Sequence, residues 1–342
     1  MSANTVLTPG SARPVPAGRV LALCGGVGGA KLALGLDAVL AAGQLTLVVN
    51  TGDDFEHLGL CVSPDLDTVL YTLAGLSDPE RGWGRAGETW NFMSALGELG
   101  GDAWFALGDR DLALHVERTR RLRDGETLTA FMADMARRLK VTAVVLPMTD
   151  DPVRTIVHTL EGALPFQQSF VRHRCAPVIT GVSFAGAAQA RPNPAVLAAL
   201  ADPGLVAIVI CPSNPYLSVD PILAVPGMRE ALRQAGVPVI AVSPIIGGHA
   251  VKGPTVKIMA ELGIRNTSGT IADHYRGLID GLVVDSVDAA DATEAEHVAV
   301  PVEVAQTLMK NLVDKQRLAA VVLAFAARLA GEVAPTLARH RS

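Results

Sequence analysis

Leu23-Cys24-Gly25-Gly26-Val27-Gly28-Gly29-Ala30-Lys31 completes the short apolar run Val20-Leu21-Ala22-Leu23 and leads into Leu and Ala at helical spacing over 30–41. Strand, glycine turn and helix in that order open a parallel α/β sheet. Gly25, Gly26, Gly28 and Gly29 let backbone N–H groups approach an anion beside the positive end of a helix predicted to start near Ala30. One strand later, after 45–49, comes Asn50-Thr51-Gly52-Asp53-Asp54. The first turn reads as a phosphate-binding loop and the second as a metal-binding one. Together they point to a phosphorylated substrate handled with a metal ion. The spacing is not the GxxxxGK[ST] loop of kinases and ATPases. The second strand ends Val48-Val49-Asn50, without the acidic residue that holds a dinucleotide ribose, which weighs against NAD.

Working outward, the pattern predicts an α/β fold: a Rossmann-like, mainly parallel sheet with helices on both faces and a helical insertion. A helix is expected over 66–73, with Asp65 as its cap. From 77 to 140 no strong strand is found, and helices are expected over 88–99, 111–121 and 127–139. The sheet returns at 143–146, with 153–159 as an extended excursion beside it. Apolar strands follow at 206–210, 238–242 and 281–284, and helices at 255–262 and 318–329. The expected organisation is a disordered extension over 1–18, a core over 19–76 and 141–333, an insertion over 77–140, and a flexible tail over 334–342.

Hydrophobic residues make up 49% of the 342-residue chain and charged ones 18%. A chain of this length buries roughly 75% of its unfolded surface, so the core needs no disulfide or structural metal. The four cysteines, Cys24, Cys61, Cys175 and Cys211, show no CxxC spacing, which fits a reduced, cytoplasmic protein. A net charge of −5, no basic tail and no aromatic-basic stripe exclude nucleic acid as a natural partner. No apolar run has the length for membrane insertion.

Asp53 and Asp54 share one turn, and Asp65 and Asp67 flank the next helix start. Four carboxylates beside a phosphate loop repel one another unless solvated or bound to a cation, and Mg²⁺ held by one or two of them with a substrate phosphate answers this. Solvated turn aspartates and a helix cap are the plainer alternative. Lys252, in Gly247-Gly248-His249-Ala250-Val251-Lys252, is placed to meet phosphate as a point charge. Ser213 and Asn214 offer uncharged hydrogen bonds to a base, ribose or ring edge. Trp83, Trp90 and Asn91 are candidates to border a flat ligand, and Arg110 to bind phosphate, although ring packing and pairing with Asp109 and Asp111 account for them equally. His57, His115 and His249 lack metal-ligand spacing, so no zinc is assigned.

The segments Gly25 to Lys31, Asn50 to Asp54, Pro64-Asp65-Leu66-Asp67-Thr68, Arg81-Gly82-Trp83-Gly84, Glu88-Thr89-Trp90-Asn91, Gly108-Asp109-Arg110-Asp111, Pro212-Ser213-Asn214-Pro215 and Ser243-Pro244-Ile245-Ile246-Gly247-Gly248 occur in an order that resembles the 2-phospho-L-lactate transferase family of deazaflavin coenzyme biosynthesis. Each motif is weak alone; the ordered set, running from Val20 to Asp285, is specific. The resemblance implies a usually dimeric, Mg²⁺-using enzyme. Its members move a phosphorylated three-carbon acid from a guanosine diphosphate conjugate to the ribityl hydroxyl of a hydroxy-deazariboflavin, releasing GMP. By that resemblance Asp53 and Asp65 are the preferred metal ligands, with Asp54 and Asp67 as alternates and Asp67 a candidate to receive the hydroxyl proton. The glycine turn with Lys31, Ser213, Asn214, Gly247, Gly248 and Lys252 would hold the nucleotide and its phosphates. Thr51, Trp83, Asn91 and Arg110 would border the deazaflavin, which sets the insertion near the acceptor. A nucleotide-sugar-binding regulator without transferase activity, and a general nucleotide-dependent phosphotransferase, are the competing readings.

Overall fold

The computed structural model describes residues 18–250, 254–291 and 300–339. The chain enters through β1 (Arg19–Cys24), α1 (Gly26–Val39) and β2 (Leu45–Val49), passes a hairpin of β3 (Phe55–His57) and β4 (Leu60–Val62), and continues as α2 (Pro64–Leu73). Then come α3 (Asn91–Glu98), α4 (Asp109–Arg123) and α5 (Leu128–Arg138), before β5 (Val144–Pro147). Strands β6 (Arg154–Thr159), β7 (Gly162–Pro165) and β8 (Ile179–Ala185) form a separate antiparallel sheet, ordered β7-β6-β8. The chain proceeds through α6 (Pro194–Leu200), β9 (Leu205–Ile210), α7 (Asp220–Ala224), α8 (Met228–Gln234), β10 (Val239–Val242) and the two-residue hairpin strands β11 (Ile245–Ile246) and β12 (His249–Ala250). It closes with α9 (Thr255–Glu261), α10 (Ser268–His274), β13 (Gly281–Asp285), β14 (Val302–Ala305) and α11 (Leu312–Arg339).

The central sheet has the order β14-β13-β10-β9-β1-β2-β5, and every neighbouring pair is parallel. Its strands read as unbroken apolar runs because both faces are covered. In β1, Leu21 and Leu23 point into one core, with α6 to α10 and the small sheet. Val20, Ala22 and Cys24 point into the other, with α1, α2, α5 and α11. Each fully buried Leu or Val of this kind contributes about 1.5–3 kcal/mol before entropy is counted. No helix among the described residues is long and apolar enough to cross a membrane.

From β1 the chain builds outward to β2 and β5 on one side, then returns to place β9 on the other. The strand order therefore reverses between β1 and β9, and the crevice outside their carboxyl ends is where such sheets collect ligands. The turn after β1 begins at Gly25 and the turn after β9 at Cys211, so both candidate loops open on that crevice.

Three departures from the sequence reading have physical causes. Helix α1 starts at Gly26, four residues before the expected start at Ala30. Its first turn holds the glycines, and they pack where a side chain has no room: a Cβ on Gly28 would lie 2.4 Å from the Pro212 carbonyl oxygen, and one on Gly29 would lie 2.4 Å from Ser213 Oγ. Asp65 is not the cap of α2; Ser63 occupies that position, and neither its side chain nor that of Asp65 serves its own helix. The extended excursion at 153–159 is strand β6 of a separate sheet, whose partner β7, like β14 at the edge of the main one, is too exposed to show an apolar period.

Candidate active site

A cavity of about 560 Å³ opens at the β1/β9 switch point, within the range of small-molecule sites. Gly25, Gly26, Gly28 and Lys31 line it from the first turn, and Asp53, Asp65 and Asp67 from the segment after β2. Ser213 and Asn214 line it from the turn after β9. Trp83, Trp104, Phe105, Phe166 and Phe170 add aromatic rings to the lining, with Phe166 and Phe170 stacked at 5.3 Å.

The polar lining is knit by side chains that bridge loops far apart in sequence. Asp65 Oδ1 accepts the Gly26 backbone N–H at 2.8 Å, and Asp65 Oδ2 accepts Asn50 Nδ2 at 2.9 Å. The Asn50 amide also donates to the Leu217 carbonyl at 3.1 Å, while its Oδ1 accepts the Gly52 N–H at 2.7 Å. Ser213 Oγ accepts from the Gly25 N–H at 3.1 Å and donates to the Gly25 carbonyl at 2.8 Å, which closes the first turn against the one after β9. Ser63, the first residue of α2's cap, sends its hydroxyl to Asp54 Oδ2 at 2.9 Å.

Burial dominates the electrostatics here. Asp54 is pushed up to about 7 by burial, against the pull of Arg154 and Ser63. Asp65 is pushed up to about 6, also by burial, with Asn50 and the Gly26 N–H moderating it. Asp53 is raised well above the usual carboxylate range by burial and then by repulsion from Asp65. Asp53 Oδ1 and Asp54 Oδ1 are buried without a hydrogen-bond partner. An orphaned buried carboxylate oxygen is costly unless a cation or ligand donor meets it.

Asp67 has a different environment. Both of its oxygens are taken by the guanidinium of Arg118, which is wholly buried, one of them through Nη1 at 3.1 Å and the other through Nη2. Burial opposes the Arg118 charge, but Asp67 more than offsets it and holds the proton tightly. His115 Nδ1 lies 3.7 Å from Asp67 Oδ2, and His115 Nε2 lies 3.4 Å from Asp111 Oδ1, which also accepts the Tyr71 hydroxyl at 2.7 Å. Asp111, His115 and Tyr71 line the cavity beside Asp67.

Residues 20–322 match the family model described as 2-phospho-L-lactate transferase CofD. The chain belongs to the CofD family. A phosphoenolpyruvate transferase of Streptomyces coelicolor is 42% identical over 300 residues, covering 86% of this chain and 93% of that protein. A 2-phospho-L-lactate transferase of Methanosarcina mazei is 39% identical over 299 residues, covering 87% and 97%. Among solved structures, a UPF0052-family protein of Bacillus halodurans superposes with a TM-score of 0.57 at 18% identity, over 91% of this chain and all of that one, which establishes the shared α/β fold. CofD membership makes the chain an enzyme of the phospholactate/phosphoenolpyruvate transferase type.

In this CofD-family chain, the sequence-predicted residues divide between lining and support. Gly25, Gly26, Gly28, Lys31, Asp53, Asp65, Asp67, Trp83, Ser213 and Asn214 come together around the cavity. Ser213 spends its hydroxyl on Gly25, and Asn214 Oδ1 accepts from Tyr216 and Leu217 N–H groups, leaving its buried Nδ2 without a partner. Gly29, Thr51, Asp54, Gly247 and Gly248 stand behind or beside the lining residues, with Gly247 N–H on Asp288 Oδ2 at 2.9 Å. Asn91 and Arg110 do not line the cavity. They belong to a reciprocal cap, in which Asp109 Oδ2 accepts from Asn91 Nδ2 at 2.9 Å and Glu88 Oε2 accepts the Arg110 N–H at 2.7 Å. Lys252 lies outside the described residues.

In this CofD-family site the sequence assigns Asn50, Asp111 and His115 no site role of their own, and offers no sign of Tyr71, Arg118 or the aromatic pair Trp104 and Phe105. Phe55 packs edge-on to Phe105 at 4.8 Å and His57 edge-on to Trp104 at 5.1 Å, so the β3/β4 hairpin supports that side of the cavity. The available signal was α4 itself: a helix whose buried residues are His115, Arg118 and Thr119 rather than leucines has been shaped for something other than core packing.

Proposed function

We propose that the enzyme transfers a phosphorylated three-carbon acid from its guanosine 5′-diphosphate conjugate to the ribityl hydroxyl of 7,8-didemethyl-8-hydroxy-5-deazariboflavin, releasing GMP. The observation that carries this reading is one cavity whose lining combines buried carboxylates and a helix N-terminus with tryptophan and phenylalanine rings. The first group suits a diphosphate with its counter-ion; the second suits a flat tricyclic ring. The acid is left as 2-phospholactate, phosphoenolpyruvate or 3-phosphoglycerate, because relatives named for two of these differ by only 42% against 39% identity.

The residues present fit a divalent cation. Burial keeps both Asp53 and Asp65 from ionising readily, with repulsion from Asp65 adding to it at Asp53, and Asp53 Oδ1 and Asp54 Oδ1 have no partner. Asp53 and Asp65 would hold Mg²⁺, with Asp54 adjoining. When bound, the ion supplies charge neutralisation to the phosphoryl oxygens. The chain's own groups do the positioning. The start of α1 turns its positive end toward the donor phosphates while Asp65 occupies the Gly26 N–H, so the later N–H groups of the first turn are those directed at the ligand. Asn214 Nδ2 offers a buried donor on the opposite side. The acceptor hydroxyl then attacks phosphorus in line with the departing GMP. Asp67, with both oxygens on Arg118, serves to orient α2 against α4 rather than to take the hydroxyl proton.

The test is incubation of purified protein, Mg²⁺ and the hydroxy-deazariboflavin with each guanylylated acid in turn, reading product mass and GMP release. Product from one donor supports the reading and names the acid. Nucleotide-sugar binding with no product from any donor would instead support a regulator.

A further inference from the structure

Four carboxylates line the cavity, Asp53, Asp65, Asp67 and Asp111. Asp65 has each oxygen hydrogen-bonded, by Gly26 and by Asn50, and Asp67 has both oxygens on Arg118. Asp53 lies against Asp65, where the counter-ion belongs. Asp111 is the remaining one and the only one contributed by the helices between α2 and β5.

Its surroundings are built to hold a carboxylate still with one oxygen outward. Oδ1 accepts the Tyr71 hydroxyl at 2.7 Å and faces His115 Nε2 at 3.4 Å, whereas Oδ2 receives no hydrogen bond from the described residues. The side chain keeps 15% of its surface exposed, in a wall where Tyr71 and His115 are almost wholly buried. Its backbone is fixed as well, since Glu88 accepts the N–H groups of Arg110 and Asp111 at 2.7 and 2.9 Å and pins the first turn of α4. Behind it, His115 stands between Asp111 and the Asp67–Arg118 pair. Burial alone would raise the Asp111 carboxyl, but His115, Tyr71 and Arg118 outweigh it and keep the group below the usual range, hence ionised.

We propose that Asp111 is a catalytic residue of the transfer: its free oxygen accepts a hydrogen bond from the acceptor's attacking hydroxyl and takes that proton as the new bond to phosphorus forms. The proposal rests on the transfer reading above. The hydroxyl oxygen bonds to the phosphorus that carries the acid, and the bond from that phosphorus to the bridging oxygen breaks. GMP leaves with the electron pair, and the proton passes to Asp111 Oδ2 and then to water. A carboxylate of low basicity is suited to this timing, because an alcohol in a loose transition state becomes acidic only late. Its larger contribution is orientation of the nucleophile.

The deciding experiment compares equilibrium binding of the hydroxy-deazariboflavin and of its analogue lacking the terminal ribityl hydroxyl, for wild type, Asp111→Asn and Tyr71→Phe, together with single-turnover transfer and GDP affinity. A hydrogen bond to a charged group makes wild type prefer the hydroxyl compound by about tenfold or more. In D111N the two compounds bind alike, transfer slows by about 100-fold or more, and GDP affinity is unchanged. Y71F, which leaves the carboxylate in place but loosens its hold, keeps part of the preference and loses less transfer than D111N. A folded D111N that still prefers the hydroxyl compound, or transfers within threefold of wild type, overturns the proposal. Equal losses in Y71F and D111N would assign Asp111 a structural role and overturn it too. Wild type that binds neither deazaflavin would overturn the transfer reading, and this inference with it.

Discussion

The backbone N–H of Gly26 donates to Asp65 Oδ1 at 2.8 Å, so the first helix of the fold begins on a carboxylate from the second. Asp65 thereby does two things. It caps a positive helix end, and it is held beside Asp53 in a place too dry to ionise easily. Asn50 completes the arrangement, since one buried amide reaches the segment after β2, Asp65 on α2 and the Leu217 carbonyl after β9.

Truncating that amide should therefore loosen all three loops together. We predict that Asn50→Ala destabilises the fold by about 3 kcal/mol, the cost of leaving buried partners unsatisfied, and weakens GDP binding. Urea unfolding with and without GDP measures both. A stability change under about 0.5 kcal/mol, the usual range for surface substitutions, would show that Asn50 is not the connector.

Glycines in the same turn should respond differently to alanine. Gly26 has φ +63° and open space around its missing Cβ, so Gly26→Ala meets only backbone strain, about 1–2 kcal/mol. Gly28 has no such φ, but its Cβ would stand 2.4 Å from the Pro212 carbonyl oxygen, a backbone atom that cannot step aside alone. We predict that Gly28→Ala shifts the 212–214 turn and lowers GDP affinity by about tenfold or more, an energy of only about 1.4 kcal/mol. G26A should leave affinity within about threefold. Titration calorimetry on both variants decides; equal losses would mean that strain, not contact, governs this turn.

The buried carboxylates also give a pH dependence whose sign is fixed. Asp54 titrates near 7 and Asp65 near 6 in the folded state, and Asp53 well above its ordinary value. Between about 4, where an unfolded aspartate titrates, and 7, the folded protein binds more protons than the unfolded one. Stability without metal must then fall as pH rises through that window and level off above it. Asp111 and Asp285 are held below the usual range and titrate beneath the window, while His57, lowered by burial, opposes the trend within it as one group against three carboxylates. We predict a higher urea midpoint at pH 5 than at pH 8 in chelator, a smaller difference in Asp54→Asn, and recovery at pH 8 on adding Mg²⁺. A midpoint that rises from pH 5 to pH 8 in chelator would contradict the sign, and no Mg²⁺ response would remove the cation from this site.

The sheet and its first two turns were legible because each buried strand is a largely apolar run, with glycines directly after β1 and two aspartates in the turn after β2. The start of α1 was not, since glycine reads as loop and the contacts that hold Gly25 and the first turn of α1 in place come from Pro212 and Ser213, some 188 residues on. Strands β7 and β14 carry no buried period to read. Asp53 and Asp65 could be nominated from their turns, but the partners of Asp67 could not. His115 and Arg118 sit in a helix whose sequence looks solvated, and only the fold reveals that its inward face is the charged one.

That inward face yields the last prediction. Arg118 is fully buried, gives both of its outer nitrogens to Asp67, and lies over the Phe131 ring at 5.4 Å. Removing one partner of a buried ion pair costs about 3–5 kcal/mol, because the other charge is stranded, while replacing both with apolar groups of like size is often neutral. We predict that Arg118→Met unfolds at markedly lower urea than wild type, and that pairing it with Asp67→Leu recovers most of the loss, since Met can still pack on Phe131. If the pair only stabilised α2 against α4, the double variant would transfer normally once its stability returned. Because His115 faces Asp67 on one side and Asp111 on the other, we expect instead that the double variant regains stability but stays at least about tenfold slower in single turnover. Restored rate along with restored stability would confine Arg118 and Asp67 to packing.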